Sequence, residues 1–147
     1  LTTIGVKITK KQLMLKLGQP EPQVDMKLML WDIAGHHTFA NVKAAYYRGS
    51  DGALVVCDLT RQETLDNIDW WCKALKQASG EKPIILLANK SDLKDEFKYG
   101  QKEVEEACDK LGIPYLLTSA KTGKNVESAF RQLSRMIVSE HKKQMKE

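Results

Sequence analysis

The sequence predicts an α/β fold, a doubly wound and mostly parallel sheet with helices on both faces and one antiparallel edge strand. Apolar runs that do not alternate with polar residues, at 53–57 and 83–88, are typical of strands covered on both faces. Segments with helical spacing of apolar residues follow these runs, so strand and helix alternate along the chain. That order favours parallel pairing, because each helix carries the chain back to the start of the next strand.

A hairpin is predicted at the start of the chain. Apolar residues alternate within residues 4–17, and an apolar run at 26–31 follows a segment that contains Gly18, Pro20 and Pro22. Glycine and proline stop regular structure, since glycine adopts turn geometry and proline cannot donate a backbone hydrogen bond. The two predicted strands are therefore expected to pair antiparallel, with an exposed tip between them.

Helical segments are predicted downstream of the hairpin. They are expected at residues 39–48, 61–76, 101–111 and 125–143. Thr60 and Glu63 resemble a capping box at the start of the second segment. Gly112 and Pro114 end the third in the usual order, and a short strand at 115–117 separates it from the long amphipathic C-terminal helix.

Composition indicates one ordinary globular domain. The 147 residues are 42% hydrophobic and 29% charged, which suits a single core. The net charge of +4 is small and dispersed, so no nucleic acid partner is expected. No apolar run reaches the roughly 20 residues of a transmembrane segment. A cytoplasmic protein is expected, and weak peripheral attraction of the basic C-terminal end to an anionic membrane stays open.

The three cysteines give no metal or disulfide pattern. Cys57, Cys72 and Cys108 are an odd number without CxxC spacing, and Cys57 lies in an apolar strand run. They are expected to be reduced and structural.

Polar clusters follow three of the predicted strands, at 32–37, 89–92 and 119–121. In open α/β sheets ligands bind beyond the carboxyl ends of the strands. In the first cluster Asp32, where the strand is expected to stop, offers a carboxylate to a cation. Gly35 lets a backbone N–H approach an anion closely. This pair predicts half of a magnesium and phosphate site.

The other two clusters suit a purine base. Asp92 can accept two hydrogen bonds from adjacent N–H donors of one ring edge, and guanine, unlike adenine, offers such a pair. Asn89 can donate and accept beside it, while the stems of Lys90 and Lys121 can cover the two faces of a planar ring. A solvated polar loop is the competing interpretation of each cluster alone. Their order, each after its own strand, favours a shared site.

These motifs resemble those of a Ras-superfamily small GTPase, closest to the Rab branch. The resemblance runs over nearly the whole chain and rests on Thr3-Ile4-Gly5-Val6, Trp31-Asp32-Ile33-Ala34-Gly35, Ala45-Tyr46-Tyr47-Arg48-Gly49, Asn89-Lys90-Ser91-Asp92 and Thr118-Ser119-Ala120-Lys121. It implies a small G domain that binds GTP or GDP with Mg²⁺. An unrelated doubly wound enzyme is the rival interpretation. It would not explain which residues neighbour Asp92 and Lys121.

The resemblance also implies a role for each matching residue. Asn89 and Asp92 would read guanine, Lys90 and Lys121 would flank it, Ser119 would support the loop, and Ala120 would offer its N–H to the base carbonyl. Thr3 would ligate magnesium from the first switch, Asp32 would hold the metal through water, and Gly35 would bond the γ-phosphate.

The sequence departs from the family where the phosphates should be held. The loop Gly-x-x-x-x-Gly-Lys-Ser/Thr does not occur in residues 1–147. The family places it upstream of Thr3, so residues 1–147 are expected to be one small G domain lacking its first strand, phosphate loop and first helix, about 30 to 40 residues. The alternative, a protein that never had the loop, would leave strand edges with unsatisfied backbone groups at about 1 to 3 kcal/mol each.

His36 stands where the family usually has a glutamine that orients the attacking water. A neutral imidazole offers one donor and one acceptor in a different geometry, so slow GTP hydrolysis is expected. The alternatives are that His36 only faces solvent, and that the protein is a pseudo-GTPase, a binding or scaffold module without hydrolysis.

Effectors and regulators are expected to meet the switch surface of Ile8, Trp31 and Tyr46. Trp31 and Tyr46 match two members of an aromatic trio that Rab-type proteins often present, but Ile8 stands where phenylalanine is usual. The choice of partner therefore does not follow from the resemblance.

Overall fold

The structure, a computed structural model, describes residues 6–18, 23–33 and 47–146. It divides into two compact units, Leu1–Gly49 and Ser50–Glu147, each of which is described by itself. Most of the helix expected at residues 39–48 lies outside the described residues.

The described part of the first unit is mainly an antiparallel hairpin, as predicted. Strands β1 (Val6–Lys16) and β2 (Gln23–Ile33) pair without interruption along their whole length. Because side chains alternate between the two faces of a strand, Leu13 and Leu15 are buried on one face. The opposite face carries exposed apolar side chains, among them Ile8 and Trp31, which are direct cross-strand partners.

The second unit is built on a parallel sheet of three strands, which confirms the α/β prediction. They are β3 (Ala53–Asp58), β4 (Ile84–Asn89) and β5 (Tyr115–Leu117), in the order β3-β4-β5. Among the described residues the hairpin forms a sheet of its own.

Helices alternate with these strands. They are α1 (Gln62–Asp66), α2 (Ile68–Ser79), α3 (Gln101–Leu111) and α4 (Val126–Lys146), with a short 3-10 helix at Lys94–Glu96. The predicted end of α3 is confirmed, since Gly112 adopts a left-handed φ of 67°. No described helix combines the length and the apolarity needed to cross a membrane.

The prediction of a single helix after Thr60, to about Lys76, is wrong: α1 and α2 are separate helices joined at Asn67. The predicted capping box is also wrong. The N–H and the hydroxyl of Thr60 both donate to Asp58 Oδ1, at 2.8 and 2.7 Å, so this side chain is engaged with the strand end. The first-turn Glu63 pairs instead with the Arg61 guanidinium at 2.8 Å.

The core lies on both faces of the parallel sheet. On one face Cys57 of β3 and Leu86 of β4 pack in a cluster that includes Ile68 of α2 and Val104 of α3. Helix α4 contacts β3 and β4 and completes the unit on the other face, where Ile85 is also buried. Helices therefore cover both faces, as the apolar strand runs predict.

All three cysteines are buried and none forms a disulfide, as expected. Burial raises the pKa of the Cys72 thiol to about 11 and that of the Cys108 thiol to about 12. Both thiols therefore stay protonated at neutral pH, which suits packing residues rather than nucleophiles.

Candidate functional site

The candidate site of the second unit lies at the carboxyl ends of its three strands. Asp58 and Asn89 end β3 and β4 and are register partners, and Thr118 directly follows β5. Parallel strands all end at the same edge of a sheet, so the loops that follow them meet there. The structure thus brings together residues that are 60 positions apart along the chain, as the polar clusters predict.

Asn89 joins the loop after β4 to the loop after β5. Its Oδ1 accepts hydrogen bonds from Thr118 Oγ1 at 3.2 Å and from the backbone N–H of Ala120 at 3.1 Å. Backbone hydrogen bonds reinforce the connection, with Thr118 N–H donating to Ala88 O at 2.9 Å and Ser91 N–H donating to Thr118 O at 3.0 Å. The two loops are therefore fixed relative to each other.

Asp92 is held by the same second loop. The hydroxyl of Ser119 donates to Asp92 Oδ1 at 2.8 Å and accepts from the Thr122 N–H at 3.1 Å. Ser119 is buried, whereas Asp92 is exposed. One oxygen of the carboxylate is thus oriented by a buried donor while the group as a whole faces solvent.

Lys90 follows β4 with a left-handed φ of 65°, which is uncommon for a residue with a side chain. Its Nζ lies 2.8 Å from Asp58 Oδ2, while Lys121 is exposed on the other loop. Burial alone would raise the pKa of Asp58, but hydrogen bonds from Lys90 and Thr60 outweigh it and hold the pKa below its usual value.

Several residues of this network are not among the predicted site residues. Asp58 carries the clearest sequence signal, because it ends an apolar strand run just as Asp32 does. Thr118 directly precedes the Ser-Ala-Lys cluster. Asn125 donates from Nδ2 to Leu117 O at 2.8 Å, and nothing in its local sequence indicates this contact.

The hairpin carries one of the predicted metal and phosphate residues. Asp32 is exposed on β2 opposite Lys7, and the strand continues to Ile33, two residues beyond the predicted end at Trp31. The strand is longer because Ile33 still pairs with Val6. The other residues predicted on this side lie outside the described residues: Thr3, Gly35, His36 and Tyr46.

The described donors and acceptors suit one class of ligand. An exposed carboxylate accepts hydrogen bonds, and the neighbouring Ala120 N–H can donate to a carbonyl in exchange for Asn89 Oδ1. A planar ring with adjacent N–H donors and a carbonyl on one edge satisfies both groups. The sequence predicts that the apolar stems of Lys90 and Lys121 cover the faces of such a ring.

Comparisons with known proteins identify the family to which the chain is similar. The sequence model of the Ras family matches residues 1–139. Ras-related protein Rab-27B of Homo sapiens is 35% identical over 144 residues, which cover 94% of this chain and 66% of that protein. Ras-related protein RABA4b of Arabidopsis thaliana is 37% identical over 136 residues, covering 92% of this chain and 58% of that protein. The chain thus spans less than two thirds of the length of these relatives.

Proposed function

This chain belongs to the Ras family, in its Rab branch, and on that premise we propose that it is a guanine-nucleotide switch that cycles between GDP and GTP with Mg²⁺. The observation that carries the proposal is the hydrogen-bond network that ties Asn89, Asp92 and Ser119 together at the sheet edge. A solvated polar loop does not require a buried serine to orient an exposed carboxylate.

The base is guanine in this proposal. Asp92 accepts from the two adjacent N–H donors of the guanine edge, and Ala120 N–H donates to the guanine carbonyl. Adenine presents an acceptor where guanine presents an N–H, so it would face the carboxylate with a lone pair. Asn89 still joins the two loops through its hydrogen bond from Thr118 Oγ1, while Lys90 and Lys121 flank the ring.

On the metal and phosphate side of the proposed site, the described residue is Asp32. Carboxylate oxygens suit Mg²⁺, and Asp32 is exposed one residue before the end of β2. Asp32 would hold the metal through water with Thr3 as a direct ligand, and Gly35 N–H would bond the γ-phosphate. Mg²⁺ would neutralise charge on the phosphates when bound.

A phosphate loop outside residues 1–147 completes the proposed site, in one small G domain to which both units belong. The edge of β3 that faces away from β4 has no strand partner among the described residues, and Val56 on that strand is 57% exposed. A strand added at that edge would satisfy its backbone groups, and the helix proposed to follow that strand would cover the sheet face that carries Val56. A sequence before Leu1 with Gly-Lys-Ser or Gly-Lys-Thr would support this. A natural protein that starts at Leu1 and melts cooperatively as a monomer would contradict it.

Nucleotide titration tests the proposed function directly. The full-length protein is titrated with fluorescent GDP and Mg²⁺, and bound probe is displaced with unlabelled GDP or ADP. We expect GDP to compete at least about 100-fold better than ADP, since losing both carboxylate bonds costs about 3 kcal/mol or more. Equal competition by ADP would contradict guanine recognition, and no binding of either nucleotide would contradict the switch.

We further propose that GTP hydrolysis is slow because His36 replaces a water-orienting glutamine. The test is single-turnover GTP hydrolysis by the full-length protein and its His36→Gln variant, for which a faster rate is expected. His37→Gln is the matched control at the adjacent position. Equal rates for the parent and His36→Gln would contradict a role for His36. Binding of GTP without hydrolysis by either protein would favour the pseudo-GTPase alternative.

Partner proteins are proposed to bind the surface of Ile8, Trp31 and Tyr46. Ile8 and Trp31 face each other across the hairpin and are each 48% exposed, which supports contact with an apolar partner. The protein is proposed to be cytoplasmic, with peripheral attraction to anionic membranes through the exposed basic end of α4, Lys142, Lys143 and Lys146.

A further inference from the structure

We propose that Asp58 is a positioning residue for Lys90, fixing its amine so that the lysine stem forms one wall of the base site. The inference rests on the proposed guanine site and adds to it a residue from a different strand. Asp58 ends β3, whereas Lys90 follows β4.

The Asp58 carboxylate is held by donors on both oxygens. Oδ1 accepts from the Thr60 N–H at 2.8 Å and from the Thr60 hydroxyl at 2.7 Å, and Oδ2 lies 2.8 Å from Lys90 Nζ. The side chain of Asp58 is 17% exposed and that of Lys90 is 48% exposed. The carboxylate is therefore oriented before it meets the amine, and the ion pair is partly withdrawn from water.

The backbone of Asp58 is fixed as well. Its N–H donates to Thr64 Oγ1 at 2.8 Å, and its carbonyl oxygen accepts from the Tyr99 hydroxyl at 2.8 Å. Leu59 N–H donates to Asn89 O at 3.1 Å, one residue before Lys90. The anchor for the lysine amine is thus tied to β3, to the start of α1 and to the loop that precedes α3.

This anchor determines how Lys90 can serve a ligand. A lysine side chain has a flexible stem of four carbons, so an unanchored one samples many positions. With Nζ fixed at Asp58, the chain between Cα and Nζ is held at both ends, and its apolar stem presents a surface to a ring. Because its charge is already paired with a carboxylate, Lys90 acts through this stem rather than as a cation for phosphate.

A double-mutant cycle tests the inference. Asp58→Asn, Lys90→Met and the double variant are made in the full-length protein, and the dissociation constant of fluorescent GDP is measured for each. Methionine keeps an unbranched apolar stem and removes the amine. We expect each single variant to bind about tenfold more weakly, a typical coupling for residues in one network. The double variant should bind no more weakly than either single one.

Two further variants separate positioning from general stability. Asp69→Asn removes the carboxylate of the exposed Asp69–Lys73 pair, whose atoms are 2.7 Å apart, and serves as the matched ion-pair control with no expected change in GDP binding. Lys90→Ala also removes the stem and is expected to bind more weakly than Lys90→Met. Circular dichroism melts of all variants identify any loss of binding that follows from unfolding.

Each outcome supports or overturns the proposal. If Asp58→Asn weakens GDP binding as much in the Lys90→Met variant as it does in the parent protein, Asp58 does not act through Lys90 and the inference is wrong. Binding unchanged in Asp58→Asn would also overturn it, with the proposed function intact. A parent protein that binds no guanine nucleotide would contradict the proposed function itself, and the inference with it.

Discussion

The hairpin and the parallel-sheet unit expose different kinds of surface. The hairpin presents a regular face on which apolar Ile8, Met29 and Trp31 are exposed, and Gln12 Nε2 donates across its strands to both Asp25 oxygens, at 2.9 and 3.0 Å. The parallel unit instead concentrates hydrogen bonds between loops at one sheet edge. A broad apolar face suits a protein partner, whereas converging polar loops suit a small ligand.

The difference follows from how the two sheets are connected. An antiparallel pair needs only a turn, so its function is carried by side chains repeating every second residue along an open face. Parallel strands need crossovers, which bring every strand end and its following loop to one edge. Changes at the sheet edge should therefore alter ligand binding strongly, and changes on the hairpin face should not.

The largest effect is expected for Asp92→Asn. In this variant the asparagine NH₂ group, a donor, faces one of the two guanine N–H donors, so that hydrogen bond is lost. The other hydrogen bond remains, but its acceptor is no longer charged. We expect GDP binding to weaken by about 100-fold or more, roughly 3 kcal/mol, since hydrogen bonds to charged groups contribute about 1.5 to 3 kcal/mol each. Competition titration with fluorescent GDP measures it.

Asp95→Asn is the matched control, because Asp95 is exposed in the 3-10 helix just after the same loop. It should bind GDP like the parent. Equal weakening by both variants would mean that net charge, not base reading, sets the affinity.

A smaller effect is expected for Ser119→Ala. This variant loses the donor that orients Asp92 and leaves the Thr122 N–H without its serine acceptor. We expect a loss of about 1 to 2 kcal/mol in the free energy of unfolding, as for a buried polar group deprived of its partner. GDP binding should weaken by about tenfold, the equivalent of about 1.4 kcal/mol.

Urea unfolding and GDP titration check the two parts of this prediction. Ser139→Ala on the exposed side of α4 is the control and should change neither quantity. Unchanged unfolding in Ser119→Ala would show that the buried hydroxyl does not hold the two loops together.

How much of the molecule the sequence predicts also differs between the two units. The hairpin follows from the alternation of apolar residues, because a single burial pattern fixes which face each side chain occupies. The strands of the parallel unit follow from continuous apolar runs. The two loops of the candidate site are predicted to meet because each follows a strand of one sheet.

The contacts within that site are harder to predict. The choice of Thr60 between capping α1 and binding Asp58 depends on where the carboxylate lies in three dimensions, which local spacing does not encode. The same holds for the pairing of Lys90 with Asp58, since sequence separation does not show which cation reaches which anion. The sequence identifies Asp58 as a carboxylate at the end of a strand, but it does not identify Lys90 as its partner.

Stability at low pH should depend on Asp58. The folded-state pKa of this carboxyl is held below its usual value, so its contribution is present above about pH 4, the ordinary aspartate value. The contribution is lost as pH falls through the lowered folded-state pKa. We expect the parent to exceed Asp58→Asn by about 1 kcal/mol in unfolding free energy at pH 7, as for a partly exposed ion pair.

Urea unfolding at intervals between pH 7 and pH 2 measures this difference. It should be constant at neutral pH and shrink only in acid. Asp109→Asn, on the exposed side of α3, is the control for a general effect of removing a carboxylate. If the difference in unfolding free energy between the parent and Asp58→Asn stayed the same in acid, ionisation of Asp58 would not be the cause of that difference.

The smallest effect is expected on the hairpin face, for Met29→Thr. Met29 is 53% exposed and threonine suits a strand, so the free energy of unfolding should change by less than about 0.5 kcal/mol and GDP affinity should not change. Leu15→Thr, at a fully buried position, should lower the free energy of unfolding several times more, because it places a hydroxyl on the buried face of the hairpin. If Met29→Thr weakened GDP binding as Ser119→Ala does, the division between a partner face and a ligand edge would be wrong.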